Sequence, residues 1–450
     1  MVALTHVCRR WRVSFTSRSF LWAKLDFMNV DKTRTYIHRS QSSPLKISLK
    51  VNRYESYLDD AVSLIIPHIH RLKSMTVHAI YLPGIFNQLT CPAPLLEKLD
   101  INLSLVPTPI PDSALFGGDL SNLRELRLGR SITHLPRNNL TNLRILTLKS
   151  CLQGHKITEL LNFFESAPLL QTVELMDSIP RASDAPPERM VSLRHLKTLT
   201  IGTDAPRCTL LDHLHIPHGA SLRLGFSFGG REPPFLDYHP AGSPNLGNLT
   251  HITTISLLFD PLRKHMRLSG PSGGLRLFAD WEAPGTSQCT MDHMILLSLG
   301  QSILTTAQKL SISEYGHPVP DGAGKCPVFQ TLSSTNDLKT LTLIDCNNLP
   351  FIVALNPEKN RSKVTLCPNL EELVLYIKSR GQFHTKSLVD MAKNRASRGE
   401  KLLSVTIIGL GELTPDKGVF GLKGHVGYME YRVEDAPPTW GDFPGEEDDE

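Results

Sequence analysis

Leu140-Thr-Asn-Leu-Arg-Ile-Leu-Thr-Leu-Lys-Ser-Cys151 is the stretch whose reading decides the fold. It runs L-x-x-L-x-L-x-x-C through Leu143, Leu146, Leu148 and Cys151. In an extended strand, residues two apart face the same side, so Leu146 and Leu148 share one face while Thr147 and Lys149 share the other. Leu143 packs where the chain turns into the strand. Cys151 sits where it leaves, a place for a small buried side chain. One such strand cannot bury its apolar face alone, so the pattern has to recur.

It recurs along most of the chain. Before the index copy come Leu72/Met75/Val77, Leu96/Leu99/Ile101 and Leu123/Leu126/Leu128. After it come Leu170/Val173/Leu175, Leu196/Leu199/Ile201, Ile252/Ile255/Leu257 and a weaker Ala307/Leu310/Ile312. Leu338/Leu341/Leu343, Leu370/Leu373/Leu375 and Leu402/Val405/Ile407 close the run. First positions from 96 to 196 are 27, 20, 27 and 26 residues apart, and those at 338, 370 and 402 are 32 apart. Leu211, Leu214 and Ile216 are a candidate degenerate copy inside the long interval from 196 to 252. The set is an irregular leucine-rich repeat, with several intervals longer than the usual ~20–29 residues. The expected fold class is α/β: a leucine-rich-repeat-like solenoid of parallel βα units, sharing one core across 29–433.

At 450 residues the chain has ample material for a large core. Apolar content of 40% and charged content of 20% describe an ordinary soluble protein. A net charge of +4 over this length does not argue for nucleic acid as a partner. No stretch reaches ~18 apolar residues, so no membrane-spanning helix is expected. Arg9, Arg10 and Arg12 have no apolar signal core behind them, and a cytoplasmic or nuclear location is expected. The 8 cysteines form no C-x-x-C. They suit a reducing compartment, with Cys151 and Cys346 as packing residues at strand exits. Sequons at Asn102, Asn139, Asn248 and Asn360 read as chance composition.

Residues 1–28 differ from the rest. Leu4, Val7, Cys8, Trp11 and Phe15 fall at helical spacing, and Phe20-Leu-Trp-Ala-Lys-Leu-Asp-Phe27 follows a Ser/Arg turn. Next come a charged helix over Asp31 to Ser40 and a strand in Ser43-Pro-Leu-Lys-Ile-Ser-Leu49. The arrangement V-C-R-R-W, a short gap, then L-W resembles the C-terminal half of an F-box, of the kind abundant in fungi. Met1 falls where the middle of that box would be. The Leu-Pro start and first amphipathic helix of the family are missing, so a truncated box is expected at the front of the solenoid. The resemblance implies a substrate-recruiting subunit of a Skp–cullin–F-box ubiquitin ligase, with no catalytic residues and no cofactor of its own. It implies contact with a Skp-type adaptor, and through it a cullin, at Val7, Cys8, Trp11, Leu21 and Trp22. The bland alternative has Trp11 and Trp22 capping the first repeat.

Helices are expected over Lys156 to Ala167, Asp59 to Ile66, Met291 to Leu304 and Ser387 to Ala396. The Gly- and Pro-rich region 219–282 reads as an irregular insertion of extra strands. Pro180–Glu188 and Arg231–Pro244 read as loops, Val426 to Val433 as a last strand, and 434–450 as a disordered acidic tail.

Chemical motifs are sparse. Gly270-Pro-Ser-Gly-Gly274 matches G-x-S-x-G, but strand-like residues follow it, so a hairpin turn is expected rather than a nucleophile elbow at Ser272. Gly322-Ala-Gly-Lys325 lacks both the first glycine and the magnesium-binding hydroxyl of a phosphate loop. His68 and His70, or His213, His215 and His218, lack partners at a ligand spacing, so no metal site is expected. Binding is expected instead on the concave strand face, where Asp100, Arg127, Lys149, Glu174, Met176 and Tyr376 point outward to a protein target. A repeat scaffold outside any ligase is the second reading, and a hydrolase using Ser272 a third.

Overall fold

The computed structural model describes residues 8–26, 29–51, 63–79, 89–103, 115–130, 135–151, 156–179, 184–186, 188–203, 209–228, 245–246, 252–259, 263–270, 273–281, 306–313, 327–359, 365–378, 384–410 and 417–436. The fold is α/β with a large, mostly parallel sheet, and the chain divides into two compact units, Met1–Ala220 and Ser221–Glu450. Among the described residues no helix is long and apolar enough to cross a membrane.

The first unit opens with helix α1 (Arg9–Thr16), a 3-10 turn (Ser19–Trp22) and strand β1 (Lys24–Leu25). Helix α2 (Val30–Ser40) starts at Asn29, whose side chain accepts the Lys32 N–H, satisfying a donor that the first turn leaves unpaired. Then come β2 (Leu45–Val51), β3 (Leu72–Ala79), β4 (Lys98–Leu103), β5 (Glu125–Gly129), β6 (Ile145–Lys149), helix α3 (Ile157–Ser166), β7 (Thr172–Met176), β8 (Val191–Ser192), β9 (Thr198–Thr203) and β10 (Leu214–His215). The main sheet has the order β1-β2-β3-β4-β5-β6-β7-β9, every pair parallel.

The register of this sheet explains the repeat. The second positions of successive copies pair directly, as Ile47, Met75, Leu99, Leu126, Leu146, Val173 and Leu199. Each of them is at most 2% exposed, so the ladder is one continuous apolar row. In the index copy Leu146 and Leu148 are fully buried, while Ile145, Thr147 and Lys149 share the other face, where Thr147 is itself covered at 6% exposure. The strand exits repeat too. Arg130, Ser150 and Asp177 each follow a strand in the left-handed region, and each donates its N–H to the carbonyl of the next strand. Cys151 then turns in, 2% exposed, its thiol facing the Leu128 carbonyl at 3.8 Å and the Ser178 hydroxyl at 3.4 Å. A second rung lies before each strand. Asn122 and Asn142 donate from Nδ2 to the carbonyls of Pro94 and Ser121, both at 2.7 Å, one repeat back.

Leu211, Leu214 and Ile216 do not make a further rung of the main sheet. Thr209–His213 is a 3-10 turn, and β10 pairs with β8 in a separate two-stranded sheet. All three side chains are buried nonetheless. The apolar spacing therefore serves a core position in a strand that pairs outside the main sheet. Helix α3 matches its expectation, burying Ile157, Leu160, Leu161, Phe163 and Phe164 on one face. Of the helix expected over Asp59 to Ile66, residues 59–62 lie outside the described residues, and a 3-10 segment (Ile66–Arg71) follows.

The second unit contains β11 (Ser221–Phe228), β12 (Thr254–Phe259), β13 (Arg263–Gly270), β14 (Gly273–Trp281), β15 (Lys309–Ser313), α4 (Pro327–Ser333), β16 (Thr340–Ile344), α5 (Leu349–Leu355), β17 (Glu372–Ile377), α6 (Thr385–Ser397), β18 (Ser404–Leu410) and β19 (Tyr428–Glu434). Strands β12, β15, β16, β17, β18 and β19 pair in parallel. The expected extra strands are β11, β13 and β14, with β12-β13-β14 an antiparallel meander and β11 parallel to β14. The buried rung reads Ile255, Leu310, Leu341, Leu373 and Val405. The helices pack in series, α4 on α5, α5 on α6, and α6 on the 3-10 segment Lys417–Gly424. Arg395 of α6 is fully buried and donates to the carbonyls of Leu366 and Cys367, both at 2.9 Å. Those carbonyls lie in the loop that leads into β17, so the guanidinium fastens the helix to that loop. The helix expected over Met291 to Leu304 lies outside the described residues, as do residues 437–450 of the acidic tail.

Candidate protein-binding surfaces

The N-terminal segment divides its expected adaptor contacts between surface and core. Val7 lies outside the described residues. Cys8 is exposed, and no residue of α1 is buried. Trp11 is 44% exposed, tilted against Phe15 with ring centroids 5.6 Å apart, and Phe20 is 62% exposed. Two large rings thus face water on one short segment, and exposed large apolar groups are the kind of surface that marks a docking site. Leu21 is half-buried. Trp22 is fully buried: its Nε1 donates to the Phe15 carbonyl at 2.9 Å, Tyr36 meets it edge-on at 5.0 Å, and the Arg39 guanidinium lies 4.5 Å from its ring. Trp22 thus holds α1 and α2 on the first strand, while Trp11 is presented.

The second surface is the polar face of the sheet in the first unit. Strand register brings Asp100, Arg127, Thr147, Glu174 and Thr200 into one row. The next row holds His78, Asn102, Gly129, Lys149, Met176 and Gly202. Neighbouring strands lie about 4.8 Å apart, so side chains of the two rows reach one another diagonally. Lys149 Nζ reaches Glu174 Oε1 at 2.9 Å, and His78 Nε2 faces Asp100 Oδ1 at 3.0 Å. Met176 lies across Gly202: a Cβ there would sit 2.5 Å from its Cε and 2.8 Å from its Sδ. The missing side chain on Gly202 is what lets the thioether lie flat on the next strand. Five of the six expected target-binding residues therefore share one contiguous face. Tyr376 belongs to the second unit, in a row with Ile344, Ile408 and Arg432. Burial pushes its phenol pKa up and nearby Glu434 adds to this, against the opposing pull of Arg432.

A third feature escaped the reading of single strands. A groove of about 410 Å³ runs along the entry ends of β2 to β6, lined by Lys46, Lys73, Ser74, Glu97, Lys98, Arg124, Glu125, Arg144 and Ile145. Its basic side chains come largely from the residue directly after the first leucine of each copy: Lys73, Arg124 and Arg144. That recurrence was visible in the sequence, but it acquires meaning only once parallel register stacks the positions.

Other candidates resolve on geometry. Gly270 pairs with Gly273 across antiparallel β13 and β14; Pro271 and Ser272 themselves lie outside the described residues. A nucleophile elbow needs a strand followed by a helix, and here a strand follows. His213 is buried at 3% exposure with Nδ1 3.0 Å from the Arg189 carbonyl, whereas His215 is exposed. They do not share a face because His213 ends a 3-10 turn and only His215 is in a strand. Among the described residues, no three His, Cys, Asp or Glu side chains are grouped to hold a metal ion. Residues 322–325 lie outside the described residues. Comparison with models of known protein families gives no match, and a search of curated proteins gives none.

Proposed function

We propose that this chain is a non-catalytic protein-binding adaptor, the substrate-recruiting subunit of a Skp–cullin–F-box ubiquitin ligase, built as a leucine-rich-repeat-like solenoid behind a partial F-box. The observation that carries it is the pairing of an unburied aromatic helix at the front with a repeat sheet whose polar face is open. Trp11 and Phe20 are exposed at 44% and 62% on a segment that Trp22 anchors from below. Solvent-facing rings on an anchored segment suit a helical partner such as the adaptor. The paired rows from Asp100 to Met176 suit an extended protein target.

Co-purification with a Skp-type adaptor tests this. Trp11→Ala and Phe20→Ala should abolish adaptor binding while leaving the melting temperature unchanged. Trp22→Ala should lower stability by about 3–5 kcal/mol, because it empties a fully buried site. An adaptor that fails to bind the parent chain overturns ligase membership. The second reading, a repeat scaffold outside any ligase, would then rest on the polar strand face alone.

A further inference from the structure

We propose that the basic groove at the entry ends of β2 to β6 binds an extended acidic segment of a partner protein. The proposal rests on the target-binding half of the function above and does not need the adaptor half. Lys46, Lys73, Lys98, Arg124 and Arg144 line the groove with two carboxylates, Glu97 and Glu125. Both carboxylates are already engaged. Glu97 accepts Lys73 at 3.2 Å, and Glu125 accepts Lys98 at 2.7 Å and Arg127 at 2.6 Å. No carboxylate among the described residues pairs with Lys46, Arg124 or Arg144, and all three are exposed. Three cations without counter-charge along one recess concentrate positive potential there.

The dimensions and the interleaved charges select the occupant. From β2 to β6 is four strand spacings, about 19 Å, which an extended peptide covers in about six residues. Such a peptide sets carboxylates opposite Arg124 and Arg144, whose planar forks match them bidentately, and passes Glu97 and Glu125 with uncharged residues. Half-buried Ile145 adds an apolar contact on the same wall. A nucleic-acid backbone carries charge at every step and would meet both glutamates, and no aromatic ring lines the groove for its bases to stack on.

The test is a fluorescence-anisotropy titration of the full chain into a rhodamine-labelled Glu-Ser-Glu-Ser-Glu-Ser peptide at low salt. Binding is expected, weakening as salt screens it. Arg124→Gln combined with Arg144→Gln should cost about tenfold in affinity with an unchanged melting temperature. Lys386→Gln combined with Lys393→Gln, on the exposed side of α6, changes net charge equally and should leave affinity intact. Equal loss in both double variants means attraction by net charge and overturns the groove. Tighter binding of a single-stranded DNA oligonucleotide, or capture by phosphatidylserine vesicles, lost in the arginine variant, assigns the groove to those ligands instead. Peptide binding that appears only after removal of residues 437–450 assigns it to this chain's own Glu446–Glu450 run. Adaptor co-purification is scored separately, so a failed titration with adaptor binding retained overturns the groove alone.

Discussion

Truncating Leu146 to alanine tests the strand register at the index repeat. Leu146 is fully buried, paired with Leu126 on one side and Val173 on the other. Alanine removes three carbons, about 2.4 kcal/mol at roughly 0.8 kcal/mol per buried methylene. The neighbouring strands are tied by backbone ladders on both sides and collapse only partly into the gap, which raises the cost to about 3–4 kcal/mol. Ile145→Ala, one residue earlier, removes a side chain from the opposite, half-exposed face and should cost about 1 kcal/mol or less. Urea unfolding is followed by far-ultraviolet circular dichroism and by tryptophan fluorescence. With a slope of about 2–3 kcal/mol per molar, the Leu146→Ala midpoint should fall by about 1–2 M. A Leu146→Ala shift no larger than that of Ile145→Ala would refute the register, because a slip of one residue exchanges the two faces.

Iodoacetamide at about pH 8 should label exposed Cys8 and Cys91 and spare Cys151 and Cys367, whose thiols burial holds near a pKa of about 11, as peptide mass spectrometry would read. Gly427→Ala should destabilise the β18–β19 pair by about 1–3 kcal/mol, since its Cβ would lie 2.7 Å from the Leu403 carbonyl oxygen; unchanged amide-exchange protection in β19 would contradict this. Burial, then the charges of Arg71 and His70, lower the His68 pKa below 6.5. The neutral form is thus favoured in the folded state, so its contribution is full above the ordinary value of 6.5 and is lost as pH falls from there through the lower folded pKa. The melting temperature should therefore drop more in the parent than in His68→Gln between about pH 7.5 and about pH 5. Arg395→Met should cost about 2–4 kcal/mol by leaving the Leu366 and Cys367 carbonyls without their donor, measured by the same urea titration.

What the sequence determined by itself is the set of strands and their inward faces. Burial with a period of two is a local property of extended chain, so Leu146 and Leu148 could be placed without knowing their neighbours. The same spacing repeated at Leu99/Ile101, Leu126/Leu128 and Val173/Leu175 then fixed the pairing, because only in-register parallel stacking buries every copy. The hairpin at Gly270–Gly274 and the helix over α3 were legible for the same reason, turn chemistry and helical period being local.

Tertiary structure decided everything that depends on which distant residues meet. Trp11 and Trp22 look alike in sequence, yet Tyr36 and Arg39 close over Trp22 alone. Leu211, Leu214 and Ile216 carry the repeat spacing, but a 3-10 turn takes them into a separate sheet with β8. Tyr376 stands in a different unit from Asp100, Arg127, Lys149, Glu174 and Met176. The basic groove draws on residues almost a hundred positions apart, from Lys46 to Arg144, and exists only because parallel register sets their strands about 4.8 Å apart. Charge at a single position carries no sign of its neighbours' charge; stacking the repeats is what sums it.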